Sequence, residues 1–236
     1  MFRLIHPFLI FLFIGNTPLN GQSELISRIK IPPVVLDNLV QGRIYSPDYI
    51  QIKGSQYLTK TWAMGNIQIQ DHTYRDLPVW YDIYADELVL LYSVKGSLSL
   101  IQLPKAHTLA FTFDNRSFVN SALGKYKESG LKKGYFEVIF RGRADLLIER
   151  NLELKKENSI ASFNRKDRIY YVVQNKAHRV RSKKSLLELF DQKHHKPIGN
   201  YFKKQKIRLK KASDTQLKQL ASYIDVLLSE EVESNL

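Results

Sequence analysis

Cysteine is absent from all 236 residues, which excludes disulfides, thiolate metal sites, cysteine nucleophiles and the lipidated cysteine of a lipoprotein. Stability must therefore come from a packed core. Long hydrophobic runs are scarce as well: beyond the first 15 residues none approaches the ~20 needed to cross a bilayer as a helix. Catalytic signatures are missing. The chain has no H-E-x-x-H, no G-x-S-x-G elbow, no G-x-G-x-x-G and no Walker phosphate loop. His72, His107 and His178 stand alone, and the adjacent His194 and His195 would lie ~100° apart on a helix, which is poor geometry for joint chelation. The sequence thus assigns no catalytic residue, no metal and no cofactor.

Acidic residues are thin in one place, and this decides more than the total charge does. Residues 165–211 carry 16 Lys/Arg against 3 Asp/Glu, a net of +13, equal to the net charge of the whole chain. A basic block of this kind is suited to nucleic acid, phospholipid headgroups or other phosphates.

What is present begins with a leader. Met1-Phe2-Arg3 supplies a positive charge, and an apolar run of roughly a dozen residues to Gly15 has the length of a signal-peptide core. The spacing predicts export with cleavage after Gly21, so residues 1–21 are set apart from the fold. Export makes nucleic acid the least favoured partner. An extended lead-in over 22–60 follows, with Pro32-Pro33 blocking helix, a short strand expected at Val34–Leu36 and a turn at Ser46-Pro47-Asp48.

The densest aromatic and β-branched stretch is Trp62–Tyr92. Ile67 and Ile69 alternate with polar residues, a turn falls at Asp71-His72, and Leu77, Val79, Tyr81 and Ile83 form one face of the next strand. Leu88–Leu91 is a continuous apolar run, expected to be a strand covered on both sides. Asp86-Glu87 is expected to end a strand in water. Further strands are predicted at Ser97–Leu103, Thr108–Phe113, Tyr135–Phe140, Asp145–Glu149, Arg168–Val173 and Ala177–Val180, with 124–134 as a polar, flexible loop. Three helices close the chain: one opened by a Ser185-x-x-Glu188 capping box, one with Pro197 in its first turn, and one capped by Ser213-x-x-Gln216. These place an antiparallel β-domain at 61–181 and a helical segment at 182–236.

The fold class expected is α+β: an antiparallel β-sandwich or partly closed barrel or roll, followed by a basic C-terminal helical segment. An outer-membrane barrel is opposed by strands of 5–7 residues, where spanning strands need ~9–11.

Gly54-Ser55-x-Tyr57-Leu58, then Trp62-x-x-Gly65, then the run Y-x-x-L-P-x-x-Y-D-x-Y-x-D-E-L from Tyr74 to Leu88 resembles uncharacterised exported proteins of Gram-negative bacteria. The resemblance covers most of the mature chain through short motifs. In those proteins an arginine often precedes the central tyrosine, where this chain has Trp80. The resemblance implies a sheet followed by a basic helical tail and an envelope location, with no activity attached and no site residue transferred.

Two surfaces are candidates for function. One is the aromatic and acidic set Trp80, Asp82, Tyr84, Asp86 and Glu87, whose carboxylates, if free on one strand face, could serve a hydrolase or carbohydrate-binding module. The other is the cationic set Lys183, Lys184, Lys203, Lys204, Lys206, Arg208, Lys210 and Lys211, expected to face water and contact an anionic membrane surface or an acidic envelope partner. The second leads, giving a non-enzymatic exported envelope protein, periplasmic or surface-associated; a subunit of a larger envelope assembly is the third reading.

Overall fold

The computed structural model describes residues 42–47, 49, 51–94 and 97–234. The leader at 1–21 and the strand expected at Val34–Leu36 lie outside them. The described part of the lead-in adds β1 (Arg43–Ile44) and then continues through single bridges, Lys53 to Ser162 and Tyr57 to Asp82.

The meander forms as its alternation requires. β2 (Ala63–Ile69), β3 (His72–Asp82), β4 (Glu87–Val94) and β5 (Ser97–Gln102) pair antiparallel in succession. Ile67, Ile69, Leu77, Val79, Tyr81 and Ile83 are buried, and so is the whole run Leu88–Leu91, covered on both sides as its composition requires. β3 is 11 residues long, more than its alternation alone implied.

The chain then crosses to the other edge of β2. β6 (Thr108–Phe113), β7 (Arg116–Asn120), β8 (Tyr135–Phe140) and β9 (Ala144–Glu149) extend the sheet, and β12 (Arg168–Val173) and β13 (Lys176–Val180) finish it. Between β9 and β12 a separate hairpin is inserted, β10 (Leu152–Glu157) and β11 (Ile160–Arg165). The result is an 11-stranded antiparallel sheet, open among the described residues, with β1 and β13 at its edges. Three of the two-residue turns have both residues at positive φ, Asp114-Asn115, Asn158-Ser159 and Gln174-Asn175, the backbone that matches the twist of antiparallel strands.

β7, β10 and β11 were not expected. β7 shows little alternating apolar content, and β10 and β11 are mostly exposed, so their pairing comes from turns and neighbouring strands. The stretch 124–134 also differs from expectation. It holds a 3-10 turn, Gly124–Tyr126, with Tyr126 and Ser129 buried, because Tyr126 and Lys125 reach across to the buried Asp145.

β9 is buried on both faces. Ala144, Leu146 and Ile148 turn to the helices, while Leu147 packs with Tyr126, Phe136 and Val172 on the reverse side. The helices are α1 (Lys183–Leu187), α2 (Gln192–Lys204) and α3 (Asp214–Ser234). α1 is capped by Ser182, with Ser185 as its reciprocal partner, so the capping box starts three residues upstream of the expected one. α2 begins before Pro197, which stands inside the helix and not in its first turn. The third cap is as expected: Ser213 Oγ accepts from Gln216 N at 3.2 Å and Gln216 Oε1 accepts from Ser213 N at 3.1 Å. Leu217, Leu220 and Ile224 of α3 are buried where the helix packs on β8 and β9, each stabilising by about 1.5–3 kcal/mol. The helical segment therefore shares a core with one end of the sheet.

Candidate functional site

The acidic and aromatic set is brought together, but as a locked cluster. Asp82 is fully buried; its Oδ1 accepts from Tyr84 N and Ala85 N at 2.9 and 2.8 Å, fixing the β3–β4 turn, and its Oδ2 accepts from Tyr45 OH at 2.5 Å. Asp86 occupies a left-handed position (φ 58) and accepts from Tyr81 OH at 2.6 Å, Lys105 Nζ at 3.0 Å and Tyr135 N at 3.2 Å. Glu87 shares Lys105 at 3.6 Å. Burial raises the pKa of all three carboxyls, opposed at Asp82 by its hydrogen bonds and at Asp86 and Glu87 by the Lys105 ammonium. Asp86 and Glu87 are thus half-buried and ion-paired, where the sequence had placed them in water: the register of β3 and β4 folds the turn back over the sheet.

The aromatics are equally engaged. Trp80 stacks on Tyr57 with centroids 3.8 Å apart, lies 4.4 Å from Trp62, and donates Nε1 to Thr59 O at 3.0 Å. Tyr84 meets Tyr49 at 5.0 Å and Phe163 at 5.2 Å. The cover for this face comes from Tyr49, Tyr57, Thr59 and Trp62 and from Phe163 of β11, not from the C-terminal helices. The arrangement stiffens the sheet and leaves Asp82 no free oxygen for acid–base work.

The cationic set is disposed differently. After α2 a turn with Lys206 in the left-handed region (φ 51) leads through Ile207 and Arg208 into a 3-10 turn, Leu209–Lys211, and this path buries Ile207 and Leu209 while Lys206, Arg208, Lys210 and Lys211 face water. A cleft of about 540 Å³ opens where this segment passes α1 and the end of β13. Arg181, Lys183, Lys203, Arg208, Lys210 and Lys211 ring it, and buried Phe202, Ile207 and Leu209 form its floor. Among the described residues no acidic side chain lines it. Lys183 is the most fixed of the six: its Nζ donates to Gly199 O at 3.2 Å and lies 5.8 Å from the Phe202 ring centre.

A larger cleft of about 810 Å³ adjoins it, sharing Arg181, Leu209 and Lys210. Its other cations are mostly spoken for. Arg150 is bound to Asp167 and Asp214, Arg165 to Asp167, Lys166 to Glu153, and Arg168 to Glu149. By contrast, none of the six cations of the smaller cleft is in an ion pair among the described residues. Unneutralised positive charge converges there, over low-dielectric walls that strengthen its field.

Of the predicted cations, Lys183, Lys203, Arg208, Lys210 and Lys211 meet in this cleft. Lys184 does not; it faces Glu188 at 3.9 Å. Lys204 and Lys206 are exposed but lie outside it. Arg181 belongs to it and was missed, although its place two residues before Lys183 in a run of cations was a usable signal. The histidines are absorbed structurally: His194 is buried and the His195 ring nitrogen lies 2.9 Å from Phe190 O. Among the described residues no group of three or more His, Asp or Glu could hold a metal ion, and no helix is long and apolar enough to cross a membrane.

No family model matches the chain, and neither a curated protein nor a solved structure matches it. The reading of function therefore rests on the site itself.

Proposed function

We propose that this chain is an exported, non-enzymatic protein of the cell envelope, periplasmic or surface-associated, that binds an anionic membrane surface through its helical C-terminal end. The observation that carries the reading is the ring of six cations around one cleft, none of them in an ion pair among the described residues. Pairing positive groups with acids is the ordinary way to quiet a surface, and the sheet does so at Arg150, Arg168 and Lys105. Six cations in one place without an ion pair among the described residues favour an external anion. Each Lys or Arg near an anionic leaflet adds about 1 kcal/mol, weakened by salt. The leader-like first 21 residues support export.

The test is sedimentation of the purified protein with phosphatidylglycerol and phosphatidylcholine vesicles across a salt series. Binding to the anionic vesicles that fades with salt is expected; equal binding to both at every salt concentration sinks the reading.

A further inference from the structure

The reading above concerns a surface; the cleft within it has the character of a site for one molecule. We propose that it takes a single phosphorylated amphiphile, a phosphate monoester carrying acyl chains, with the phosphate held among the cations and the apolar part over Phe202, Ile207 and Leu209. This inference rests on the membrane-contact reading and narrows its ligand.

Three observations lead to it. First, the charge is confined. The neighbouring cleft is larger and also rich in arginine, but its Arg150, Arg165, Lys166 and Arg168 are paired with Asp167, Asp214, Glu149 and Glu153, and beyond the shared Arg181 and Lys210 it adds one cation, Arg179, with no ion pair among the described residues. A nucleic acid or other long polyanion needs a track of free cations, whereas a discrete anion needs one pocket.

Second, the donors match phosphate. Arg181 and Arg208 present planar forks suited to two oxygens of one anion, and the lysines supply compact charge around them. A dianionic monoester answers six cations better than a single carboxylate would.

Third, the lining disfavours a polar body on that phosphate. Among the described residues Ser182 is the sole neutral polar side chain lining the cleft, with no carboxylate and no side-chain amide to accept from sugar hydroxyls. What remains beneath the cations is apolar. At about 540 Å³ the cleft is open to solvent on its outer side and has room for a headgroup and the first part of its chains.

The test uses the full mature chain and short-chain lipid below its micelle concentration, read by calorimetry. Dihexanoylphosphatidic acid is expected to bind about tenfold or more tightly than glycerol 3-phosphate, which has the charge without the chains. Dihexanoylphosphatidylcholine, with the chains but no net charge, is expected not to bind. Lys203→Glu and Lys210→Glu should each cost about tenfold, while Lys204→Glu, on the same helix as Lys203 but outside the cleft, should leave the affinity unchanged. All three positions are exposed, so the variants should keep the wild-type melting temperature.

Equal affinity for glycerol 3-phosphate and the lipid would overturn the proposal by removing the floor from recognition. So would equal losses from Lys203→Glu and Lys204→Glu, or hexaglutamate binding as tightly as the lipid. If phosphatidylglycerol vesicles bind in a salt-dependent way but monomeric phosphatidic acid does not, the single-molecule site fails and the surface-contact reading stands. If neither binds, both fail.

Discussion

Arg150 donates to Asp214 at 2.6 Å, joining the residue after β9 to the first residue of α3. The same guanidinium donates to Glu137 of β8 at 2.5 Å and to Asp167 before β12 at 2.7 Å, with Arg150 and Glu137 both 5% exposed. Burial opposes its charge, but three carboxylates outweigh that and keep it protonated. One side chain thereby ties β8, the residue before β12 and α3 together beside the larger cleft. Arg150→Ala removes one of the two guanidinium partners of the buried Glu137, leaving Arg116 at 2.9 Å, and should lower stability by about 3 kcal/mol, read from the urea midpoint. Asp214→Asn, at a more exposed position, should cost about 1 kcal/mol. Equal effects from the two would show that the helix end, not the buried pair, carries the energy.

The carboxyls of the sheet give stability a pH dependence of opposite signs. Asp82, Asp86 and Glu87 have raised pKa values through burial, so what they contribute is full below their unfolded pKa of about 4 and is lost as pH rises through the folded values. Asp167 runs the other way. Burial would raise it, but hydrogen bonds from Arg165 and Arg150 prevail and lower it, so its contribution is present above the unfolded pKa and lost as pH falls through the folded one. Asp82→Asn keeps an oxygen for Tyr84 N and Ala85 N while abolishing the charge. Its stability relative to wild type should therefore increase with pH from about 4 upward, measured by urea unfolding at a series of pH values. A difference independent of pH would mean that Asp82 titrates alike in both states.

Two glycines should respond oppositely to alanine. A Cβ at Gly65 would lie 2.4 Å from Thr112 O and 2.9 Å from Val79 Cγ2, so β2 and its neighbours would have to part. Gly65→Ala should cost about 1–3 kcal/mol. At Gly199, inside α2, the nearest atom is Lys183 Nζ at 3.2 Å, the movable end of a long side chain. Gly199→Ala should gain up to about 1 kcal/mol from helix propensity. Thermal melts of the two variants check both signs.

The parts of the fold legible in the sequence are those where alternation and burial coincide. Ile67, Ile69, Leu77, Val79 and Tyr81 announce their strands, and Leu217, Leu220 and Ile224 announce α3. β10 gave no such signal, because Lys155, Lys156 and Glu157 lie on exposed strand positions where no apolar face is needed, and β11 gave none because its apolar Ile160 is exposed and its covered positions do not alternate. The first cap was misplaced because Ser182 and Ser185 are chemically alike and bond each other reciprocally, so either could have been the cap. The carboxylate cluster read as a candidate site because sequence shows proximity along a strand but not Tyr45 or Lys105 closing over it. The cleft was half legible: charge density was plain, but the meeting of Arg181 with Lys211, from either side of α1 and α2, is a product of tertiary packing.

That difference between charge density and convergence can be measured at Arg181 and Lys184. By local sequence they are near equals, two cations on either side of Ser182 and Lys183. In the structure Arg181 lines both clefts and has no ion pair among the described residues, while Lys184 is 87% exposed, outside the cleft, and opposite Glu188. If anionic surfaces sense only total charge, Arg181→Ala and Lys184→Ala should weaken binding to phosphatidylglycerol vesicles equally. If the cleft is where the anion sits, Arg181→Ala should cost about 1 kcal/mol, roughly a fivefold loss, and Lys184→Ala distinctly less. Sedimentation at one low salt concentration suffices, because screening at high salt would erase the contrast being sought.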